Sequence, residues 1–394
     1  MSTQTTSAIP SAATSTSPSS VRTAVSSAKK IVLLPGDGIG PEVTRVAADV
    51  LRTCATAGGY SFDFTELPFG GAGIEADGAP LPAATLSACL EADAILLGAV
   101  GGPRWDAQPP GHRPESGLLA LRKGLGLYIN LRPIRLRAAL AGISPLRPER
   151  VRSIDIEIVR ELAGGIYFGE RGQETVDGVE RAWDVETYTT PEIERVAQYA
   201  FARAEARTRR VCSVDKANVL TSSALWRRTV SQLAALHPAV KLDHMYVDNA
   251  SMQLVLAPSQ FDVIVTSNMF GDILSDGAAA LVGSIGLIPS MSLGTGPSLY
   301  EPIHGSAPTL AGKDLACPIG SILSAAMLLG ESLGLKTEAA AVETAMDRVL
   351  ERGFRTADIA EPAGQTVGCV RFGELLNAEL SAALKQESVR KADA

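Results

Sequence analysis

The sequence predicts an α/β protein built around a mostly parallel sheet, and three observations carry that expectation. Short apolar, β-branched runs at 30–34, 94–100, 156–160 and 263–265 alternate with stretches of helical periodicity, the pattern of repeated βα units. Polar, chemistry-bearing residues follow directly on several of these runs, at the strand ends where α/β sheets gather ligands. The first run leads through glycines at 36, 38 and 40 into a helix opened by Pro41. That is not the GxGxxG spacing of the dinucleotide fold, so a classical Rossmann domain is not expected.

Composition bounds the answer. With 394 residues, the chain is long enough for one large or two ordinary domains. A hydrophobic share of 46% with 20% charged residues is ordinary for a globular protein. The net charge of −7 argues against a general nucleic-acid or anionic-membrane binder, while leaving room for a local basic pocket. Cys54, Cys89, Cys212, Cys317 and Cys369 share no CxxC spacing, which speaks for reduced thiols in a cytoplasm-like compartment rather than disulfides or zinc. No apolar run is long enough to span a bilayer.

Taken in order, residues 1–29 are rich in Ser and Thr and free of acids, and read as a disordered tail. Such a composition also resembles an organellar transit segment, although Arg22 is its only arginine. The glycine turn after the first strand allows close backbone approach. A helix is expected near 82–92, a strand over 94–100, then the loop Gly101-Gly-Pro-Arg-Trp. Arg122 and Arg132 follow, ten residues apart, with Leu118 and Leu119 just ahead of the first. Guanidiniums converging from separate elements clamp carboxylates, whereas a single arginine is ordinarily solvated surface. The leucines would be core unless they line an apolar wall beside that clamp.

A strand ending in Arg160 runs into Gly164-Gly-Ile-Tyr167-Phe-Gly, and the polar, β-leaning stretch that follows reads as a projecting arm near 165–189. Pro191 opens an amphipathic helix reaching about Arg207. The next strand delivers Asp215, Lys216 and Asn218 at its end; a lysine there accepts protons if its pKa is depressed, and is otherwise a surface ion pair. A strand-like run ending at Asp248 supplies a further acid.

The stretch FDVIVTSNMFGDILSDG passes from a buried strand into a helix carrying Asp272 and Asp276. One helical turn apart, the two carboxylates leave the same face and repel. A solvated acidic face is the plain reading; inside a cleft, such a pair calls for a cation, and hard oxygen ligands suit Mg²⁺ or Mn²⁺. Tyr300 to Pro308 reads as a loop of small residues bearing Glu301 and His304, able to wrap a flat base. The remainder, 319–385, is mostly helical.

Assembled, these residues resemble the β-decarboxylating dehydrogenases, the isocitrate/isopropylmalate dehydrogenase family. The resemblance runs from about Lys30 to Arg371 and rests on LPGDGIGPEV, GAVGGPRWD, ESGLLALRK, NLRP, VRELAGGIYFGE, DKANVL, YVDNASMQLV, TSNMFGDILSDG and EPIHGSAP in order. It implies a two-domain fold, with 30–127 plus 283–394 binding cofactor and 128–282 carrying substrate, metal and dimer contacts. It further implies a homodimer in which Lys216 and Asp248 reach the partner's active site.

By motif, Arg122, Arg132 and Arg160 would hold the malate carboxylates and Asp248, Asp272 and Asp276 a Mg²⁺ or Mn²⁺ ion. Tyr167 and Lys216 would be the acid–base pair. NAD would lie along Glu115, Asn218, Glu301, His304, Gly305, Ser306, Ala307 and Pro308, reaching Thr309 and Cys317.

Where isocitrate enzymes present hydroxyl or amide groups, Leu118 and Leu119 offer hydrocarbon, which favours an alkylmalate, 3-isopropylmalate, and so a role in leucine biosynthesis. An isopropyl group buried there gains roughly 1.5–3 kcal/mol, and a carboxylate would be desolvated without a partner.

Two positions depart from the family pattern. Thr309 stands where NAD-using members have Asp, and Cys317 where Asn is usual. NAD is still expected, with weaker discrimination against NADP. The same changes suit a paralogue acting on a related 2-alkylmalate. A catalytically silent paralogue would have lost Lys216, Tyr167 or an aspartate, and a Mg²⁺-dependent phosphoryl-transfer enzyme would carry a P-loop.

Overall fold

The computed structural model describes residues 28–151 and 153–392. The first part of the chain forms β1 (Lys29–Gly36), α1 (Gly40–Gly58), β2 (Phe62–Glu66), α2 (Gly71–Asp77), α3 (Ala83–Leu90), β3 (Ala94–Ala99) and α4 (Pro114–Gly124). The middle forms β4 (Leu127–Arg135), α5 (Pro148–Val151), β5 (Asp155–Glu161), β6 (Arg171–Val176), β7 (Val179–Asp184), α6 (Thr190–Glu205), β8 (Arg210–Asp215) and α7 (Thr221–Ala234). Then come β9 (Lys241–Tyr246), α8 (Val247–Leu256), β10 (Val263–Thr266) and α9 (Asn268–Leu281). The chain closes with β11 (Pro289–Gly294), β12 (Leu299–Pro302), α10 (Ile319–Met327), α11 (Lys336–Glu351) and α12 (Cys369–Ala392).

Local chemistry explains where these elements start and stop. Pro41 sits in the first turn of α1, where no amide hydrogen is needed, and Gly59 ends that helix at φ 68. Thr189 and Glu192 form a reciprocal capping box ahead of α6. Along β1 the side chains alternate between two apolar clusters, Ile31 and Leu33 on one face and Val32 and Leu34 on the other. Every residue of β3 and of β10 is buried, as strands covered on both faces must be.

Ten strands make one sheet in the order β2-β1-β3-β12-β11-β4-β5-β10-β8-β9. Both flanks are parallel, as expected from the βα alternation. The centre, β12-β11-β4-β5, is antiparallel. The short connection 295–298 leaves no room for a crossover, so β11 and β12 must run in opposite directions. Strands from both ends of the sequence therefore meet in the middle of one sheet.

Three local expectations need correction. Of the tail expected over 1–29, residues 1–27 lie outside the described residues, whereas Lys29 already belongs to β1 and pairs with Asp93 at 2.9 Å. The arm narrows to the hairpin of β6 and β7, turned by Asp177 at φ 52 and Gly178 at φ 78, while Tyr188 is back in the core. Asp248 lies in the first turn of α8 rather than at the end of β9. Among the described residues no helix is long and apolar enough to cross a membrane.

Candidate active site

A cavity of about 380 Å³ opens where α4, the ends of β4 and β5, α9 and the segment after β12 converge. Helical spacing places Glu115, Leu118, Leu119 and Arg122 on one face of α4, and all four line this cavity. Arg132 comes from β4 and Arg160 from β5, neighbouring strands in which Asn130 faces Arg160 across the ladder. Tyr167 enters from the turn after β5, and Asp272 from the first turns of α9.

The guanidiniums are buried, and each is held by a group outside the motif that suggested it. Arg132 donates from Nε to Asn130 Oδ1 (2.7 Å) and from Nη1 to Ser275 Oγ (2.7 Å). Arg160 donates to Asn268 Oδ1 from Nε (3.1 Å) and Nη2 (2.8 Å) and to Asp272 Oδ1 from Nη1 (2.5 Å). Arg122 pairs with Glu301 at 2.6 Å, with both side chains about nine-tenths buried. Sequence reading missed Asn130, Asn268 and Ser275; the available signal was that each is a polar residue inside a quoted motif, no more than four residues from its arginine or aspartate.

Asp272 is the hub. It pairs with Arg160 at 2.5 Å and Arg132 at 3.2 Å, and accepts a hydrogen bond from the Tyr167 hydroxyl at 3.1 Å. Burial pushes its carboxyl up, but Arg160 and Arg132 outweigh that and hold it below the usual value. Asp276 lies one turn further along, 3.3 Å from Arg132; burial, with the like charge of Asp272, raises its pKa. Burial and the adjacent Asp272 charge also raise the Tyr167 phenol, keeping it protonated.

The carboxylate chemistry fits a hard divalent ion: two acid groups share one helix face, and one is destabilised in its charged form by the other. Among the described residues, the only His, Cys, Asp and Glu ligand atoms to cluster in threes within 4.8 Å are those of Glu42, Asp314 and Cys369. Asp248, Asp272 and Asp276 therefore do not close around one point within a single chain. Asp248 instead pairs with Lys216 at 3.0 Å, and this hydrogen bond lowers its carboxyl. Neither residue, nor the exposed Asn218, lines the cavity.

The segment after β12 forms the other wall. Glu301 was expected in a loop, but it sits in β12, buried and committed to Arg122. Its neighbours Leu299 and Tyr300 pair with β3, and Glu301 itself pairs with Ser290 of β11. Beyond it, His304 and Gly305 line the cavity. His304 Nδ1 lies 2.9 Å from the Gly305 carbonyl, and its buried Nε2 has no partner among the described residues. Burial holds this imidazole below its ordinary pKa, hence neutral. A Cβ on Gly305 would meet nothing within 4 Å, so the loop presents open backbone. An orphaned ring nitrogen beside bare backbone fits a planar nucleotide ligand.

The glycine turn after β1 braces this loop. Ile39 N–H donates to the Ser306 carbonyl at 2.8 Å, and a Cβ on Gly38 would sit 1.9 Å from that oxygen. Asp37, itself buried, accepts from Gly71, Ala72 and Gly101 N–H groups at 2.8–2.9 Å. The close approach allowed by those glycines is thus made by protein backbone. Ala307 holds φ 40; Pro308 and Thr309 are exposed, whereas Cys317 is buried.

A family model described as isocitrate/isopropylmalate dehydrogenase matches residues 30–376. Among curated relatives, a 3-isopropylmalate dehydrogenase of Gloeobacter violaceus is 55% identical over 350 residues, covering 88% of this chain and 97% of the relative. Another, from Bacillus licheniformis, is 56% identical over 336 residues, covering 84% of this chain and 91% of its own. The crystal structure of isocitrate dehydrogenase from Methylococcus capsulatus aligns with a TM-score of 0.80 at 32% identity, covering 90% of this chain and 99% of that one. A β-decarboxylating dehydrogenase from Thermococcus kodakarensis aligns with a TM-score of 0.74 at 36% identity, covering 92% and 98%.

Proposed function

The chain belongs to the isocitrate/isopropylmalate dehydrogenase family and is a decarboxylating dehydrogenase; we propose that it oxidises 3-isopropylmalate to 4-methyl-2-oxopentanoate and CO₂, the step that serves leucine biosynthesis, using NAD and Mg²⁺ or Mn²⁺. The carrying observation is the α4 wall of the cavity, where Leu118 and Leu119 supply hydrocarbon beside Arg122. An isopropyl group is desolvated there at a gain, and a third carboxylate at a cost.

In this reading, Arg122, Arg132 and Arg160 bind the malate carboxylates and orient the C–OH bond toward the nicotinamide. Glu115, Asn218, Glu301 and the segment 304–309 through Cys317 hold the cofactor. Asp272 and Asp276, with Asp248, hold the divalent ion, which supplies Lewis-acid polarisation of the oxygen substituent. Lys216 takes the hydroxyl proton. Tyr167, kept protonated, delivers a proton to the carbon that loses CO₂, and each such group contributes on the order of 10²–10⁴-fold in rate.

We place Lys216 and Asp248 in the partner's site, which makes the working unit a homodimer. Support comes from the absence of both from the lining of their own chain's cavity and from the exposed apolar surface of α8 and α9, including Met252, Val255, Leu256 and Ile273. We divide the chain into a cofactor-binding domain, 30–127 plus 283–394, and a substrate, metal and dimerisation domain, 128–282. Five free, buried cysteines suit a cytoplasmic location.

The test is NADH formation with 3-isopropylmalate, isocitrate or tartrate, with and without EDTA. Turnover of 3-isopropylmalate that EDTA abolishes is expected. Activity on isocitrate alone would refute the pocket argument.

A further inference from the structure

The strand that delivers Arg160 ends one residue later in Glu161, whose side chain is entirely shielded from solvent. Both of its oxygens are engaged by the chain just ahead. Oε1 accepts the Ala163 N–H and Oε2 the Gly164 N–H, each at 2.8 Å. Those amides open the turn that presents Tyr167 to Asp272.

The turn is pinned at two further points. The Gly164 carbonyl accepts from Asn268 Nδ2 at 3.1 Å, and the backbone N–H of Asn268 donates to the Tyr188 hydroxyl at 2.9 Å. Tyr188 packs so closely that a Cβ on Gly165, at φ 75, would fall 2.4 Å from its hydroxyl.

Few charges face this carboxylate. Arg195 from α6 stands 3.8 Å away, Glu192 of the same helix adds negative charge, and the Tyr188 hydroxyl faces it from the strand-to-helix connection. A carboxylate this poorly compensated is costly to bury. Ionised, as it becomes above about pH 7, it is acceptor-only and satisfies two converging N–H groups, whereas a glutamine offers one oxygen and turns an NH₂ donor toward the second.

We propose that Glu161 is a positioning residue for Tyr167, fixing the turn so that the phenol stands against Asp272 and the substrate carbon. This rests on the proton delivery assigned above to Tyr167.

The experiment is a double-mutant cycle on the full-length enzyme with 3-isopropylmalate: wild type, Glu161→Gln, Tyr167→Phe and both together, reading kcat and KM separately. Tyr167→Phe alone is expected to lower kcat by at least about 10²-fold. Glu161→Gln alone is expected to lower kcat by roughly tenfold with KM within about twofold, and to cost nothing further once Tyr167 is Phe. Glu161→Asp, which keeps an acceptor-only group on a shorter stem, should recover part of the rate. The same cycle run with Glu161→Asp serves if the glutamine variant does not fold.

Wild-type kcat in the Glu161 variants overturns the proposal, and so does a loss that multiplies in the Tyr167→Phe background. Wild-type kcat in Tyr167→Phe removes the proton-delivery assignment itself and this proposal with it.

Discussion

Replacing Leu118 and Leu119 by alanine tests what the cavity recognises. Both side chains line it on the face of α4 that also carries Arg122. An isopropyl group has three carbons, and at about 0.8 kcal/mol per buried carbon its transfer is worth about 2.4 kcal/mol. Shared between two leucines, that is about 1.2 kcal/mol each, or roughly eightfold in kcat/KM, and about 60-fold for the double variant. The assay compares kcat/KM for 3-isopropylmalate with that for malate, which keeps both carboxylates and lacks the alkyl group. Leu118 also packs against the apolar cluster beside β3, so a melting curve must separate lost stability from lost recognition. The reasoning predicts that malate stays within about twofold of its parental value in the double variant. It fails if malate and 3-isopropylmalate decline in parallel, or if the ratio between them does not move.

Thr309 is exposed just beyond the 304–308 segment, and on the proposed cofactor placement Thr309→Asp should raise the NAD-to-NADP ratio of kcat/KM by about tenfold or more, since a carboxylate repels a 2′-phosphate; an unchanged ratio would place the ribose elsewhere. Mixing inactive Lys216→Met and Tyr167→Phe dimers should restore about a quarter of wild-type activity, because each mixed dimer regains one intact site; exchange of subunits without recovery would refute the shared site. Burial pushes the Glu161 carboxyl up to about 7, against N–H bonds from Ala163 and Gly164 that pull it down. A raised carboxyl holds its proton more tightly folded than unfolded, so its contribution is full at low pH and is lost as pH rises through the folded value. Relative to Glu161→Gln, the wild type should therefore lose about 3 kcal/mol of unfolding free energy between about pH 4.5 and 7, measured with denaturant; a flat difference would contradict it.

What was legible in the sequence was legible for local reasons. Pro191 and the Thr189–Glu192 box mark the start of α6, and the buried run 263–265 marks β10. The four-residue spacing of Asp272 and Asp276 gives a shared helix face without any coordinates. Glu301 was misplaced because a run as short as LYEP carries little strand signal of its own and is made a strand by its ladders with β11 and, over Leu299 and Tyr300, with the distant β3. The antiparallel centre of the sheet was hidden for a similar reason, since pairing direction depends on how far the chain travels between strands. Glu161, Asn130 and Asn268 escaped notice because their work lies in hydrogen bonds that only the assembled fold defines.

The place of β3 in the sheet bears on how the protein is made. Its six residues, AILLGA, are uncharged and wholly covered in the finished molecule, and one of its two flanking strands is β12. That neighbour leaves the ribosome about two hundred residues later, so the nascent chain carries an open, sticky border through much of its synthesis. Truncated chains that stop short of β12 should accordingly precipitate or remain bound to chaperones, whereas release should coincide with emergence of the segment around Leu299.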